Sequence, residues 1–156
     1  MKLPFRQYSA LIILFGGILV LYCCKKAPTY PVIPALTWVN ATPNPVKIGT
    51  DSLVLKFAFT DGDGDLGEAD TSIYVTDIRP NSINTPFTYT FNLPNIPSKG
   101  SYKQITGNIS INMFSNNSCR PGRDTRDTVS YSIYVKDKAG NKSNIITTPP
   151  IIFLCN

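Results

Sequence analysis

The feature of this sequence that most constrains its fold is the alternation of apolar and polar residues in several short segments. In the clearest one, Leu53, Leu55, Phe57 and Phe59 occupy every second position. Successive side chains of a β-strand point to opposite faces, so this pattern is typical of strands with one buried face. Seven segments between turn signals show it: 35–39, 53–60, 72–76, 87–93, 105–113, 129–136 and 145–155. A sustained stripe with the 3.6-residue period of a helix is absent from the sequence.

Seven short strands within about 120 residues predict an all-β fold, an immunoglobulin-like antiparallel β-sandwich that would span residues 35–156. Charged residues make up only 16% of the chain and Glu68 is its single glutamate, so common helix formers are scarce. The Cys…Trp…Cys signature of antibody domains is absent from the sequence. The prediction therefore concerns the architecture and not the antibody family.

The first 23 residues have the layout of a secretory signal peptide. Lys2 and Arg6 precede an apolar run over residues 9–22, and two cysteines follow at once. This run is shorter than the roughly 20 residues that a helix needs to cross a membrane. We therefore expect residues 1–23 to form a signal peptide helix that is removed, the alternative being a permanent membrane span.

The residues Leu21-Tyr22-Cys23-Cys24 resemble the lipobox of bacterial lipoproteins. In that motif a leucine stands three residues before an invariant cysteine and a small residue stands one before it, which Cys24 satisfies better than Cys23. The resemblance implies that Cys24 is acylated and anchors the chain in a membrane. The alternative is that the two cysteines form a disulfide or are apolar filler. Residues 24–34 contain three prolines and are predicted to be an extended tether.

Half of all carboxylates in the chain lie within ten residues after the second predicted strand. They are Asp61, Asp63, Asp65, Glu68 and Asp70. Two such groups about 5 Å apart repel by about 3 kcal/mol at an effective dielectric constant of about 20, so the loop either stays spread in water or recruits a cation. Carboxylates separated by glycines suit Ca²⁺, which takes roughly six to eight oxygen ligands. We predict a calcium site in this loop.

The loop begins like an EF-hand but does not continue like one. An EF-hand has Gly at its sixth position and Glu at its twelfth, where this chain has Leu66 and Ser72. In an immunoglobulin-like sandwich, the loop between the last two strands lies at the same end. We therefore expect Asp137 or Asn141 to complete the calcium shell. The alternative is that these Asp, Asn and Gly residues only form turns.

Two cysteines lie far from the N-terminus, Cys119 in a polar loop and Cys155 beside the last residue. An exported chain most simply pairs two such thiols, so we expect a disulfide between them. The alternative is a pair of buried free thiols. Closing this loop would stabilise the domain by roughly 3–4 kcal/mol on the chain-entropy model.

The composition excludes several classes of function. Histidine is absent, which excludes a Ser-His-Asp triad, a Cys-His pair, His-ligated zinc and haem. The formal net charge of +5 is too small to predict a nucleic-acid partner. The arginines of the Cys119 loop stand among aspartates, and we interpret the loop as self-neutralised and solvated rather than as a phosphate site. These residues are Arg120, Arg123, Arg126, Asp124 and Asp127. We expect no enzymatic activity.

Long stretches of the chain resemble a group of uncharacterised lipoproteins from Bacteroidota. The matching stretches include FAFTDGDGDLG, LPNIPSKG, ITGNISINM and YSIYVKDKAGNKSN. The resemblance implies an outer-membrane lipoprotein of the cell envelope with an immunoglobulin-like domain. Lipoproteins of these bacteria that are exported to the surface often carry acidic residues after the modified cysteine. Lys25 and Lys26 depart from that pattern and favour the periplasmic side.

Two functions agree with these features. The first is a non-catalytic, lipid-anchored domain with a structural or adhesive role, rigidified by calcium. The second is a module that binds a glycan or an envelope protein through outward aromatic side chains. Tyr74 and Tyr134 lie on the polar faces of their predicted strands, and Tyr102 lies in a turn. A cluster of these rings on one sheet would favour the second function, and scattered rings would favour the first.

Overall fold

The structure, a computed structural model, describes residues 29–67, 72–79, 87–94, 96, 103–113, 119–123 and 125–155. In these residues the chain is all β, and no helix there is long and apolar enough to cross a membrane. The strands are β1 (Ala35–Thr42), β2 (Val46–Lys47), β3 (Val54–Asp61), β4 (Ser72–Asp77), β5 (Thr88–Asn92), β6 (Ile105–Asn112), β7 (Arg126–Val129), β8 (Tyr131–Lys136), β9 (Ile146–Thr147) and β10 (Ile151–Leu154). The predicted signal peptide and Cys24 lie outside the described residues.

The strands form two layers. One layer is the antiparallel sheet β1-β3-β6. The other layer consists of two sheets, β5-β4-β8-β9 and β2-β10-β7. The chain links them closely, since one residue separates β7 from β8 and three residues separate β9 from β10. With β1, β3 and β6 as strands A, B and E, and β5, β4, β7–β8 and β9–β10 as strands C′, C, F and G, the order is that of an immunoglobulin-like sandwich. The predicted all-β sandwich is confirmed.

Two of the seven predicted strands are each divided in two. The segment 129–136 is interrupted at Ser130, and the segment 145–155 is interrupted at residues 148–150, where two prolines cannot donate ladder hydrogen bonds. Thr148 bridges the interruption, since its N–H donates to the Tyr131 carbonyl at 2.9 Å and its hydroxyl accepts from the Tyr131 N–H at 3.0 Å. Strand β2 was not predicted and pairs in parallel with β10.

The core lies between the two layers and is built from the predicted apolar faces. Its fully buried side chains include Leu53, Leu55, Phe57, Val75, Tyr131, Ile133 and Phe153. Three large apolar residues of the predicted strands are exposed: Val39 by 44%, Ile145 by 55% and Phe87 by 63%. Phe87, the most exposed of these, immediately precedes the edge strand β5.

Candidate metal centre

The candidate site begins with a carboxylate on the buried face of β3. Leu55, Phe57 and Phe59 point into the core, and Asp61 continues the same face two residues later. Asp61 is fully buried. Removing an ionised carboxylate from water costs several kcal/mol unless a positive charge or hydrogen bonds compensate it. This end of β3 therefore requires a proton or a cation.

The loop after β3 turns back over Asp61 because Leu66 returns to the core. The Leu66 side chain is fully buried, and its N–H donates to Asp61 Oδ2 at 2.9 Å. Gly64 has a φ of 75° and packs so closely on the Lys103 carbonyl that a Cβ would overlap it. Leu66, which departs from the EF-hand pattern, thus anchors a loop of a different shape in the core.

Three carboxylates converge in this loop. Asp61, Asp63 and Asp65 each offer an oxygen, and these oxygens lie within 4.8 Å of one another. Oδ1 of Asp61 and Oδ1 of Asp63 are buried and receive no hydrogen bond from any residue that the structure describes. Two charges at this separation repel by about 3.5 kcal/mol at an effective dielectric constant of about 20. The repulsion among these three carboxylates therefore favours the binding of a proton or a cation.

Burial and the neighbouring carboxylates also shift the pKa of Asp61. The pKa of Asp61 is raised to about 6, with burial as the largest cause and the carboxylates of Asp63 and Asp65 as additional ones. The Leu66 N–H acts in the opposite direction. A bound divalent cation would replace the proton and favour the ionised form of this carboxyl group.

The donor set of the loop fits a hard cation. All three groups are carboxylates, and carboxylate oxygens are the ligands that Ca²⁺ prefers, at roughly 2.3–2.6 Å. Three carboxylates supply between three and six of the roughly six to eight oxygens that Ca²⁺ takes. Glu68 and Asp70, the other two predicted ligands of the loop, lie outside the described residues.

Asp137 and Asn141 lie beside the site but bind each other. Asp137 Oδ1 accepts the Asn141 N–H at 2.7 Å, and Asp137 Oδ2 accepts the Asn141 side-chain amide at 2.9 Å. Their loop contacts the acidic loop, because the Ala139 N–H donates to Asp65 Oδ2 at 3.0 Å. The two loops therefore meet at one end of the sandwich, as expected. That Asp137 or Asn141 ligates the cation stays a prediction.

The predicted disulfide between Cys119 and Cys155 is confirmed. Their Cα atoms are 5.9 Å apart and the sulfur atoms are bonded. The bond joins the loop before β7 to the end of β10, and next to it the Cys155 N–H donates to the Thr125 carbonyl at 3.1 Å. The last strand is held at both of these points.

A buried ionic network at the opposite end of the sandwich was not predicted. Arg79 pairs with both Asp77 and Asp127, and Arg120 Nη2 lies 2.6 Å from Asp127 Oδ1. Asp127 is only 2% exposed. The interpretation of the Cys119 loop as solvated is therefore wrong for Asp127, although it holds for the exposed Arg123. The pairing of Arg120 with Asp127 agrees with a self-neutralised loop. Asp127 lies two residues before Val129, so the same period-two alternation places both side chains on the buried face of β7. This pattern in the sequence could have indicated that Asp127 is buried and needs a charged partner.

The two ends of the sandwich neutralise their inward carboxylates differently. At one end, two guanidinium groups balance Asp77 and Asp127. At the other end, Asp61 and Asp63 have no arginine or lysine partner among the residues that the structure describes. A proton on Asp61 or an external cation would balance these two carboxylates.

Two of the outward tyrosines form a cluster on one sheet. Tyr74 of β4 and Tyr134 of β8 are register partners, and their rings stack with centroids 4.6 Å apart and planes 10° from parallel. Lys142 Nζ lies 4.0 Å from the Tyr134 ring centroid, and Lys136 Nζ lies 5.7 Å from that of Tyr74. Tyr102 lies outside the described residues.

The sequence matches no protein-family model, and the search of curated proteins finds no relative.

Proposed function

We propose that this chain is a non-catalytic, lipid-anchored domain of the cell envelope with a structural or adhesive role, and that Ca²⁺ bound by Asp61, Asp63 and Asp65 rigidifies it. The observation that carries the calcium part is the buried Asp61 Oδ1, which has no hydrogen-bond partner among the described residues and belongs to a residue of the carboxylate group. The lipobox and the proline-rich tether support the envelope part, with the periplasmic side of the outer membrane as the location. A nucleic-acid partner is not proposed.

Rigidification follows from where the loop is fixed. One end of the loop is the last residue of β3, and the other is anchored by Leu66 in the core. A cation that holds the three carboxylates together also holds these two anchors at a constant distance. The binding free energy then adds to the stability of the folded state.

The test is a thermal melt of the full-length protein in detergent, with 10 mM Ca²⁺ or with chelator. For an affinity typical of extracellular calcium modules, roughly 10⁻⁴–10⁻³ M, calcium stabilises the fold by about 1.4–2.7 kcal/mol. The variant Asp63→Asn should lose most of this increase in melting temperature. Asp51→Asn, a carboxylate outside the loop, is the matched control and should retain it. A melting temperature that does not respond to calcium would refute the calcium part.

The tyrosine cluster favours a second function, the binding of an anionic glycan. One ring face of Tyr134 lies against Tyr74, and Lys142 lies over the same ring. The cluster therefore presents ammonium groups, and hydroxyl side chains such as Thr88 and Thr90 surround it on β5. Among the described residues of β4, β5, β8 and β9, no carboxylate lies on this outer face, since Asp77 is buried.

Titration with a polyuronate tests this second function, with a neutral dextran as the control polymer. Binding should weaken with added salt and should fall at least severalfold in the variant Lys142→Gln. Lys56→Gln removes a lysine from the other layer and should bind normally. Equal binding of the polyuronate and the dextran would exclude recognition of an anionic glycan.

A further inference from the structure

The segment that leads from the proposed membrane anchor to β1 packs directly on the acidic loop. A Cβ atom on Gly62 would overlap the carbonyl oxygen of Tyr30 and lie within 2.5 Å of that of Pro31. Real Cβ atoms do not approach backbone atoms this closely, so the contact exists because residue 62 is glycine. The backbone of residues 30–31 therefore rests on the backbone of the loop.

The contact with residues 30–31 lies between two of the carboxylates, so a movement of either carboxylate affects it. Gly62 stands between Asp61, which is buried in the core, and Asp63, which is half-buried. Repulsion between two carboxylates at this separation favours moving Asp63 away from Asp61. Any such movement rotates the backbone at Gly62 and disturbs the surface on which residues 30–31 rest.

We propose that the cation bound by the acidic loop docks residues 29–34 onto the sandwich, so that calcium sets how far the domain stands from its membrane anchor. This inference rests on the proposed calcium site and adds its regulatory consequence. Released from the loop, residues 30–34 would lengthen the tether by up to about 15 Å. Docked, they hold the sandwich close to the anchor.

The coupling works in both directions. If calcium favours the docked tether by a given factor, the docked tether raises calcium affinity by the same factor. A change that prevents docking without touching a carboxylate should therefore weaken calcium binding. Gly62→Ala is such a change, since its Cβ would displace the carbonyl groups of Tyr30 and Pro31.

The experiment is ¹⁵N relaxation of the full-length protein in detergent micelles, read at the amides of Tyr30, Val32 and Ile33. With calcium, their order parameters should rise to about 0.85, and with chelator they should fall below about 0.6. In Gly62→Ala they should stay low in both conditions, and calorimetry should show severalfold weaker calcium binding. Gly122→Ala is the control for backbone strain, because its φ of 77° disfavours alanine while a Cβ there meets no atom within 4 Å.

The outcomes separate this inference from the proposed function. If calorimetry shows that calcium binds while the three order parameters do not change, docking is not coupled to the cation and the inference is wrong, whereas the calcium site stands. If the unmodified protein does not bind calcium at all, both are wrong. If Gly122→Ala loosens the tether as much as Gly62→Ala does, the effect belongs to glycine replacement in general and the inference is also wrong.

Discussion

At the scale of single residues, four aspartates mark the ends of the apolar strand faces. Asp61, Asp77, Asp127 and Asp137 each continue a buried face by one more step and are at most 9% exposed. Each needs a compensating partner, and the partners differ in chemistry. Arginines compensate Asp77 and Asp127, and the amide groups of Asn141 compensate Asp137. Asp61 accepts one backbone N–H and otherwise faces carboxylates.

The variant Asp61→Asn should change stability in opposite directions with and without calcium. In chelator it should be more stable than the unmodified protein at pH 7 by roughly 2–3 kcal/mol, because burial raises the pKa of Asp61 to about 6 and its ionisation opposes folding. In calcium it should lose the stabilisation that the cation provides. Urea unfolding in both conditions measures the two effects.

The same pKa predicts a pH profile for the chelated protein. The pKa of Asp61 is higher in the folded state than in the unfolded chain, so its contribution to stability is present below about pH 4 and lost as the pH rises through about 6. Asp61→Asn should flatten this part of the profile. A profile that is identical in the two proteins would show that Asp61 does not titrate in this way.

Asp127→Asn should destabilise the domain by about 3 kcal/mol, the lower end for a broken buried ion pair, because Arg79 keeps Asp77 and Arg120 is partly exposed. Burial opposes the ionisation of Asp127, but hydrogen bonds from Arg120 and from the Thr128 N–H outweigh it and hold the pKa well below its usual range. Its contribution is therefore present above about pH 4 and lost as the pH falls.

Urea unfolding at pH 7 and pH 3 checks the Asp127 prediction. The difference between the two proteins should shrink at the lower pH. Arg123→Gln, which changes an exposed arginine of the same loop, should stay within about 0.5 kcal/mol of the unmodified protein. A loss at pH 7 no larger than that of this control would mean that the network adds little stability.

At the scale of the elements, the last two strands depend on connections other than their own ladders. β10 is four residues long and follows two prolines, and β9 has two residues. Thr148 bridges the interruption, and the Cys119–Cys155 bond closes the far end. Alternation predicted the extent of these strands but not the interruptions, because those depend on hydrogen bonds to a neighbouring strand.

The double variant Cys119→Ser/Cys155→Ser should lose roughly 3–4 kcal/mol of stability, since it opens a loop of 36 residues in the unfolded chain. Besides the lower free energy of unfolding of the whole domain, β10 should open more often by itself, because its end then has no covalent connection. Amide exchange should accelerate most in β10 and least in β3 and β6. Reduction of the unmodified protein is the control and should reproduce the pattern, whereas uniform acceleration across all strands would contradict it.

At the scale of the whole molecule, the sandwich has two chemically different ends. The acidic loop, the Asp137 loop and the last tether residues meet at one end. The ionic network lies at the other end, where β4 ends and β7 begins. In our proposal the end that binds the cation is therefore also the end that the membrane anchor approaches.

Mass spectrometry of the protein from membranes should find an acylated N-terminus at Cys24. Several acyl chains, at about 0.8 kcal/mol per buried methylene, hold a protein in a bilayer firmly. Cys24→Ser should leave the signal peptide attached and the acyl chains absent. Cys23→Ser is the matched control and should be processed normally. Acylation that survives in Cys24→Ser would contradict the assignment of this cysteine.

The sequence by itself determined the strands, their buried faces and the carboxylates that the chain concentrates in one loop. These features depend on neighbours two positions apart, and a period of two can be read from the chain directly. Only the tertiary structure decided which charges meet. Arg79 reaches Asp127 across 48 residues, Tyr74 stacks on Tyr134, and Tyr30 rests on Gly62, because packing of the two layers sets these distances and no local pattern encodes them.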